Sequence, residues 1–479
     1  MRFGGHGGHA GPPTATCSDD LAPEHGSGPP PFPADMACGA ANVSFPPLQT
    51  GAAPRINRGK TSLRVATLNM RGAGGVTAGG IGEKWMRINQ LLRERKIAIL
   101  ALQETHLDAV GAEAVLRLFG DYLDVLFSAY PENETGACGV AFVMNKRLLK
   151  DAAYSAEELS PGRAILLTVN WPADQPLRLV NAYGPNGSSE NAALWDNLSR
   201  RPEWTRAPVD ALLGDFNVVE DALDRLPARL DPANARASLG ALLGQASLRD
   251  LWREQHPTTK SYTYLHASTG SQSRLDRIYV RLHAMREFDD WDLVEPGLPT
   301  DHLLVMASLY DQKAPFVGKG RWAMPKHLLS DAALVDDMKR LAKAMIDALD
   351  ALGDRTNARN PQTVYLAFKR DLISAIPRMQ RRIDALRADL QRTLAACPDP
   401  TDNQPAPDGL MLHAAVLQDR LAALERKRFE GARRAVAARQ RLFSETMTKQ
   451  WARSAGTTTI GTTSHAEDPA QPAKVGLGR

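Results

Sequence analysis

Short apolar runs that close on polar clusters constrain this chain more than any other feature. Leu63 to Leu68, Ile97 to Leu102, Leu177 to Ala182, Val209 to Leu213 and Ile278 to Val280 have the length and branched-aliphatic content of buried strands. The first four lead into Thr67-Leu68-Asn69, Gln103-Glu104-Thr105-His106, Asn181-Ala182-Tyr183-Gly184-Pro185-Asn186 and Gly214-Asp215-Phe216-Asn217. Ser273-Arg274-Leu275-Asp276-Arg277 precedes the fifth, and Thr300-Asp301-His302 opens a strand pattern from Leu303 to Leu309. Helical patterns near Lys84 to Arg95, Glu113 to Phe119, Asn191 to Leu198 and Ala233 to Leu243 fall between these runs. The alternation predicts an α/β fold, with carboxylates, amides, a phenol and an imidazole gathered where strands end.

Each cluster has a bland reading when taken alone. Gly214-Asp215-Phe216-Asn217 can be a turn closed by an Asx hydrogen bond, Glu104 a cap, and Asp276 between Arg274 and Arg277 a surface ion pair of little energetic weight. Six such clusters in series, spread over one domain length, instead supply what phosphodiester hydrolysis requires. Glu104 offers carboxylate oxygen to a hard divalent cation. Asp215 can hold or deprotonate a water that Asn217 aligns. A neutral His302, oriented by Asp276, can bond the scissile phosphate, and Asn69, Tyr183 and Asn186 can donate to its oxygens or to the leaving group.

From about Ser62 to Tyr310 the chain resembles the endonuclease/exonuclease/phosphatase superfamily, which includes abasic-site endonucleases, deoxyribonuclease I and the endonuclease domains of non-LTR retrotransposons. The resemblance implies a two-sheet sandwich flanked by helices over residues 61–312, acting with Mg2+ or Mn2+. It implies Asn69 and Glu104 at the metal, Tyr183 and Asn186 on the phosphate, Asp215 and Asn217 on the water or leaving group, and His302 with Asp276. Some abasic-site enzymes carry an acidic residue two positions after the first Asn, where this chain has Arg71; Asp301 is then the expected second metal carboxylate. Paired tryptophans that wall an abasic-sugar pocket are replaced by Tyr262-Thr263-Tyr264-Leu265, which turns the reading away from repair.

Two softer signals point to a retrotransposon polyprotein: Pro161-Gly162-Arg163-Ala164, and a connector over 313–330 containing Gly318-Lys319-Gly320-Arg321-Trp322-Ala323-Met324-Pro325. The expected activity is therefore a DNA-nicking endonuclease that leaves a 3′-hydroxyl. Phosphate or DNA contacts are expected from Asn181, Asn186, Arg274 and Arg277. Two readings stay open beside it: an abasic-site or small-molecule phosphodiesterase of the same fold, and a catalytically silent nucleic-acid-binding remnant. The Tyr-x-Asp-Asp pattern of a reverse transcriptase is absent, so a fragment, a truncated copy or a derived host gene is expected.

The net charge of +4 hides an asymmetry. Residues 313–479 carry 28 Lys+Arg against 18 Asp+Glu, whereas residues 1–312 carry 30 against 36. An acidic catalytic half suits a cation, and a basic half suits a polyanion such as DNA. Within the basic half, Leu334, Met338, Leu341, Met345 and Leu349, then Ile376, Met379, Ile383, Leu386, Leu390 and Leu394, then Leu417, Leu421 and Leu424 recur at helical spacing. The proline-rich stretch Cys397 to Gly409 breaks the pattern into a helical hairpin over 331–454, whose stripe is expected to be its own seam, with a self-associating coiled coil as the alternative. Arg381, Arg382, Arg426, Lys427 and Arg428 are its expected phosphate contacts.

Four scattered cysteines, Cys17, Cys38, Cys138 and Cys397, form neither a disulfide framework nor a paired metal spacing. No apolar stretch reaches membrane length. A reducing intracellular setting is expected, the nucleus being where DNA is met. Residues 1–60, rich in Gly, Pro and Ala with His6 and His9 among glycines, and 455–479 read as disordered tails.

Overall fold

The computed structural model describes residues 61–72, 83–150, 152–171, 176–282, 287–311, 332–375, 378–398 and 409–426, with a few isolated positions besides. The expected tails and nearly all of the connector lie outside the described residues, as do Lys427, Arg428 and the side chain of Arg381.

Period-two burial explains the architecture. In chain order the strands are β1 (Ser62–Asn69), β2 (Ile99–Gln103), β3 (Leu123–Ser128), β4 (Val140–Asn145) and β5 (Tyr154–Ser160). Then come β6 (Ala164–Val169), β7 (Leu177–Tyr183), β8 (Ala211–Asp215), β9 (Arg225–Leu226) and β10 (Leu248–Arg249). The last are β11 (Tyr264–Leu265), β12 (Gln272–Ser273), β13 (Asp276–Arg281), β14 (Phe288–Val294) and β15 (Leu304–Tyr310). One six-stranded sheet has the order β14-β15-β1-β2-β4-β3, a second the order β10-β13-β8-β7-β6-β5, and a small third sheet is β11-β12-β9. Among the described residues, only β1 with β2 and β7 with β8 pair in parallel, each through a crossover that carries a helix.

Alternate residues of these strands divide between two cores. Leu63 and Val65 of β1, Ile99 and Ala101 of β2, Leu177 and Leu179 of β7, Leu213 of β8 and Ile278 of β13 pack between the sheets. On the outer face of the first sheet, Ala66, Leu68, Leu100 and Leu102 meet Trp85, Ile88, Leu91 and Leu92 of helix Glu83–Glu94, and Val115 and Phe119 of helix Ala109–Phe119. The second sheet's outer residues, among them Val180, Leu212 and Tyr279, are covered by Trp195 and Leu198 of helix Ser188–Ser199 and by Leu239 and Leu242 of helix Ala233–Ala246. Burying each such side chain contributes roughly 1.5–3 kcal/mol against chain entropy. The result is the expected sandwich of two mixed sheets flanked by helices.

Where the inner faces near the strand ends, apolar residues give way to polar ones. Gln103 donates to Asn181 Oδ1 (2.6 Å) and to Thr67 Oγ1 (3.0 Å), while Asn181 Nδ2 donates to the carbonyls of Leu102 and Ala141, both at 2.9 Å. Asn181 belongs to one sheet and its partners to the other, so one amide ties the sandwich together. It is fully buried. This corrects the expectation that Asn181 contacts DNA, because both polar atoms of its side chain are committed to the opposite sheet.

The helical region begins with helices Ala332–Asp350 and Pro361–Ala375, which pack on each other as a hairpin, with Leu334 buried. Helix Arg378–Ala395 and a helix over 409–426 form a second hairpin. Its stripe is not only its own seam: Leu394, Cys397 and Ala414 are buried together with Leu226 and Tyr262 of the sandwich domain. The spacing foretold the stripe but not the surface that covers it. No helix among the described residues is long and apolar enough to cross a membrane.

Replacing Asn181 with Ala should strip the Leu102 and Ala141 carbonyls of their second donor, take from Gln103 its Asn181 acceptor and lower the unfolding free energy by about 1–3 kcal/mol. Denaturant titration checks this, and an unchanged midpoint would contradict the role as a strut.

Candidate active site

The inward positions at the ends of β1, β7 and β8 and at the start of β13 are Asn69, Tyr183, Asp215 and Asp276. Asp215 is the register partner of both Tyr183 and Asp276, so three reactive groups come from adjacent strands. Gly214 makes the approach possible: at φ +155, a Cβ there would lie 1.9 Å from the carbonyl oxygen of Ala182.

Glu104 leaves β2 with φ +49, a left-handed conformation uncommon outside glycine, which turns its carboxylate toward this cluster. Asn69 Nδ2 donates to Glu104 Oε1 (2.8 Å) and to Asp215 Oδ2 (2.9 Å), and the Tyr183 hydroxyl donates to the same Glu104 oxygen (2.9 Å). Asn69 Oδ1 accepts the Arg71 amide at 2.9 Å, so the side chain acts on the carboxylates as placed. Asn217, at φ +50, returns its amide to Asp215 Oδ1 (3.1 Å) and its side chain to the Gly184 carbonyl (2.8 Å).

His302 lies between two carboxylates. Its Nδ1 is 2.8 Å from Asp276 Oδ2, and its Nε2 is 3.9 Å from Asp215 Oδ2. Burial opposes charge on the ring, but the Asp276 carboxylate with its hydrogen bond, joined by Asp215, outweighs it and raises the pKa to about 9. The two carboxylates thus favour the charged form of the imidazole, which the sequence reading took as neutral. Asp215 is pushed upward, first by its burial and then by the charge of Asp276, with His302 pulling the other way. Burial, then the charges of Glu104 and Asp215, raise the Tyr183 phenol and keep it a neutral donor. Asp215, Asp276 and His302 are three potential ligands whose atoms all lie within 4.8 Å of one another. The hydrogen bond to Asp276 already engages one ring nitrogen, so the cluster reads first as a proton relay.

Asp301 is paired with Arg71 at 3.2 Å. A guanidinium thus faces the group expected as the second metal carboxylate, which leaves Glu104 as the carboxylate best placed for a cation. Asn186 is exposed in the turn between β7 and helix Ser188–Ser199. Arg274 and Arg277 are not DNA contacts, because both are buried. Arg274 forks onto Asp224 (2.7 and 2.8 Å) and reaches Asp250 (2.5 Å), and Arg277 donates to the Val218 carbonyl (2.9 Å). Arg382 is exposed, and Arg426 is half exposed with Glu295 at 3.8 Å.

Several contributors escaped the sequence reading. Lys84 is 6% exposed and sends its ammonium to the carbonyls of Met70 (2.6 Å), Arg71 (2.7 Å) and Gly72 (3.1 Å), fixing the loop after Asn69. The Thr300 hydroxyl donates to the Asn69 carbonyl (2.9 Å), the Thr263 hydroxyl accepts the Asp276 amide (3.0 Å), and Tyr264 packs on the His302 ring with centroids 4.9 Å apart. The Arg163 guanidinium lies over the Tyr183 ring at 4.8 Å. Tyr264, Thr300 and Arg163 stood within quoted segments; nothing in the spacing marked Lys84.

Residues 66–302 match the Endonuclease/Exonuclease/phosphatase family. The chain is 32% identical over 289 residues to the transposon TX1 uncharacterized 149 kDa protein of Xenopus laevis, a match that covers 58% of this chain and 20% of that protein. The chain thus spans about a fifth of that relative's length. Among solved structures it is similar to an AP endonuclease from Leishmania major, with 19% identity, a TM-score of 0.44, and 52% of this chain and 88% of that one covered. It is also similar to the endonuclease domain of TRAS1, a telomere-specific non-LTR retrotransposon, with 18% identity, a TM-score of 0.40, and 52% and 100% covered.

The three carbonyls converging on Lys84 require a point charge with several donors. Lys84→Met should lower the unfolding free energy by about 1–3 kcal/mol, and Lys84→Arg should recover only part of it, because a planar fork does not match that cradle. Thermal and denaturant melts of the three proteins measure the order.

Proposed function

We propose, from the match of residues 66–302 to the Endonuclease/Exonuclease/phosphatase family and from the geometry of the rim, that this chain is a metal-dependent phosphodiesterase that nicks DNA and leaves a 3′-hydroxyl. The observation that carries this reading is the pair of linked groups on one rim: Asn69, Glu104 and Tyr183 joined by hydrogen bonds, and Asp215 joined through Asn69 to them and lying beside the His302–Asp276 pair.

The donor set fits a hard divalent cation. Glu104 would hold Mg2+ or Mn2+ with water completing the shell, Asn69 and Tyr183 fixing the carboxylate; when bound, the ion neutralises charge building on the phosphate. Asp215, whose affinity for a proton is raised by burial, accepts the proton of the attacking water, and the Asn217 amide steadies that carboxylate. His302, its charged form favoured and its ring oriented by Asp276, can hydrogen-bond a non-bridging phosphate oxygen through Nε2–H, while the departing 3′-oxygen takes its proton from solvent water. Tyr183, kept neutral, is a second donor beside it. Asn186 and Arg382 are exposed and available to phosphates. Several basic side chains of the helices have acidic neighbours, as with Arg340 and Asp337 or Arg387 and Glu425, and the excess of 28 Lys+Arg over 18 Asp+Glu in residues 313–479 is what remains to attract DNA.

Supercoiled plasmid incubated with the purified chain should be nicked in Mg2+ and spared in EDTA; equal outcomes would leave a binding protein without this chemistry. An abasic oligonucleotide beside an intact one separates repair from general nicking. Asp215→Asn and Glu104→Gln should each reduce turnover by roughly 10²-fold or more while remaining folded. Asp276→Ala should cost less than His302→Ala, and the double variant should be no slower than His302→Ala alone. Additive losses would mean that the two residues act separately.

A further inference from the structure

The second helical hairpin ends against the segment Lys260–Leu265, and that segment touches both members of the His302–Asp276 pair. Lys260, 7% exposed, donates to the carbonyl of Cys397 at 2.5 Å and to that of Pro398 at 3.4 Å, just past the last turn of helix Arg378–Ala395. A cation there is favoured by the helix dipole and satisfies terminal carbonyls. Two residues on, the Tyr262 ring is buried with Leu394, Cys397 and Ala414. The next two residues face the site. The Thr263 hydroxyl accepts the amides of Leu275 and Asp276, both at 3.0 Å, and Tyr264 packs on His302. The backbone is stitched to the same place: Leu303 N donates to Thr263 O (2.7 Å) and Leu265 N to Asp301 O (3.2 Å).

The helices are also held from behind. Glu425 is fully buried, with Arg387 at 3.4 Å and Arg95, beyond the end of helix Glu83–Glu94, at 3.9 Å; Arg426 is 3.8 Å from Glu295. A buried carboxylate needs such partners, so the hairpin has one seat on the domain. The family match stops at residue 302, whereas these contacts come from residues beyond 378.

We propose that the hairpin of helix Arg378–Ala395 and helix 409–426 is a brace for the active site: through Lys260 and Tyr262 it fixes Thr263 and Tyr264, and so sets the orientation of Asp276 and His302. Lys260, Tyr262 and Leu394 are positioning residues, none of which touches substrate. The proposal rests on the phosphodiesterase reading only for its kinetic consequence; its structural half stands apart from activity.

The test uses the full chain and the variants Lys260→Met and Leu394→Asp, with hydrogen exchange and plasmid nicking measured on each. Undocking should speed exchange of the Leu265 and Leu303 amides by about tenfold or more, leave amides of β7 and β8 as protected as before, and lower kcat by about tenfold with KM within about twofold. A merely structural loss would instead open all amides together and scale activity with the folded fraction. The proposal is overturned if amides of helix Arg378–Ala395 exchange freely while Leu265 and Leu303 stay protected, or if those two amides open and kcat does not move. Should the parent chain fail to nick DNA at all, the phosphodiesterase reading falls, and the exchange data alone decide whether the hairpin braces the segment.

Discussion

Everything at the rim depends on one buried amide, that of Asn69. Its nitrogen is shared by Glu104 of the first sheet and Asp215 of the second, at 2.8 and 2.9 Å, in a place where unsatisfied polar groups are costly. Two carboxylates so close would repel and spread without a common donor. With it they converge, and the sheets that carry them are held at a fixed separation. Asn181 performs a parallel task deeper in the sandwich, where its amide serves two carbonyls of the other sheet.

The electrostatics follow from that geometry. His302 is flanked by Asp276 and Asp215, and the pair of negative charges outweighs the desolvation that would otherwise neutralise a buried imidazole. Asp215 in turn is poorly solvated and neighbours Asp276, so it binds a proton more readily than an exposed carboxylate. The same set of groups, separated by a few ångströms, thus shifts the proton affinities of Asp215 and His302 upward together. Arg71 belongs to this balance. By pairing with Asp301 at 3.2 Å it sets a positive charge against that carboxylate at the edge of the rim.

Support for this arrangement is distributed unevenly along the chain. Lys84 closes the loop after Asn69, Thr300 holds its carbonyl, and Thr263 holds the backbone of Asp276. The last of these belongs to a segment whose other face is covered by the helical hairpin, so packing far down the chain reaches the site through two or three residues. The buried arginine cluster is a further support: Arg274 is locked between Asp224 and Asp250, which fixes the chain just ahead of Asp276.

The sequence by itself marked six strands (β1, β2, β7, β8, β13 and β15), the covering helices and the polar clusters at the strand ends, because hydrophobic period and turn residues are local properties and strand ends are where polar residues interrupt them. Asp215 was legible from Gly214 and the apolar run before it, and His302 from its place at the head of a strand. What only the tertiary structure decided is which polar residues face the rim and which are sealed inside. Asn181 and Tyr183 share one face of β7, yet depth makes the first a strut and leaves the second beside Glu104. Arg274 is separated from Asp224 by 50 residues, and no local pattern could announce that pairing. The helical stripe was visible at Leu390 and Leu394, but a stripe specifies only that something apolar must cover it. Tyr262 and Leu226, brought near by the fold, are what does.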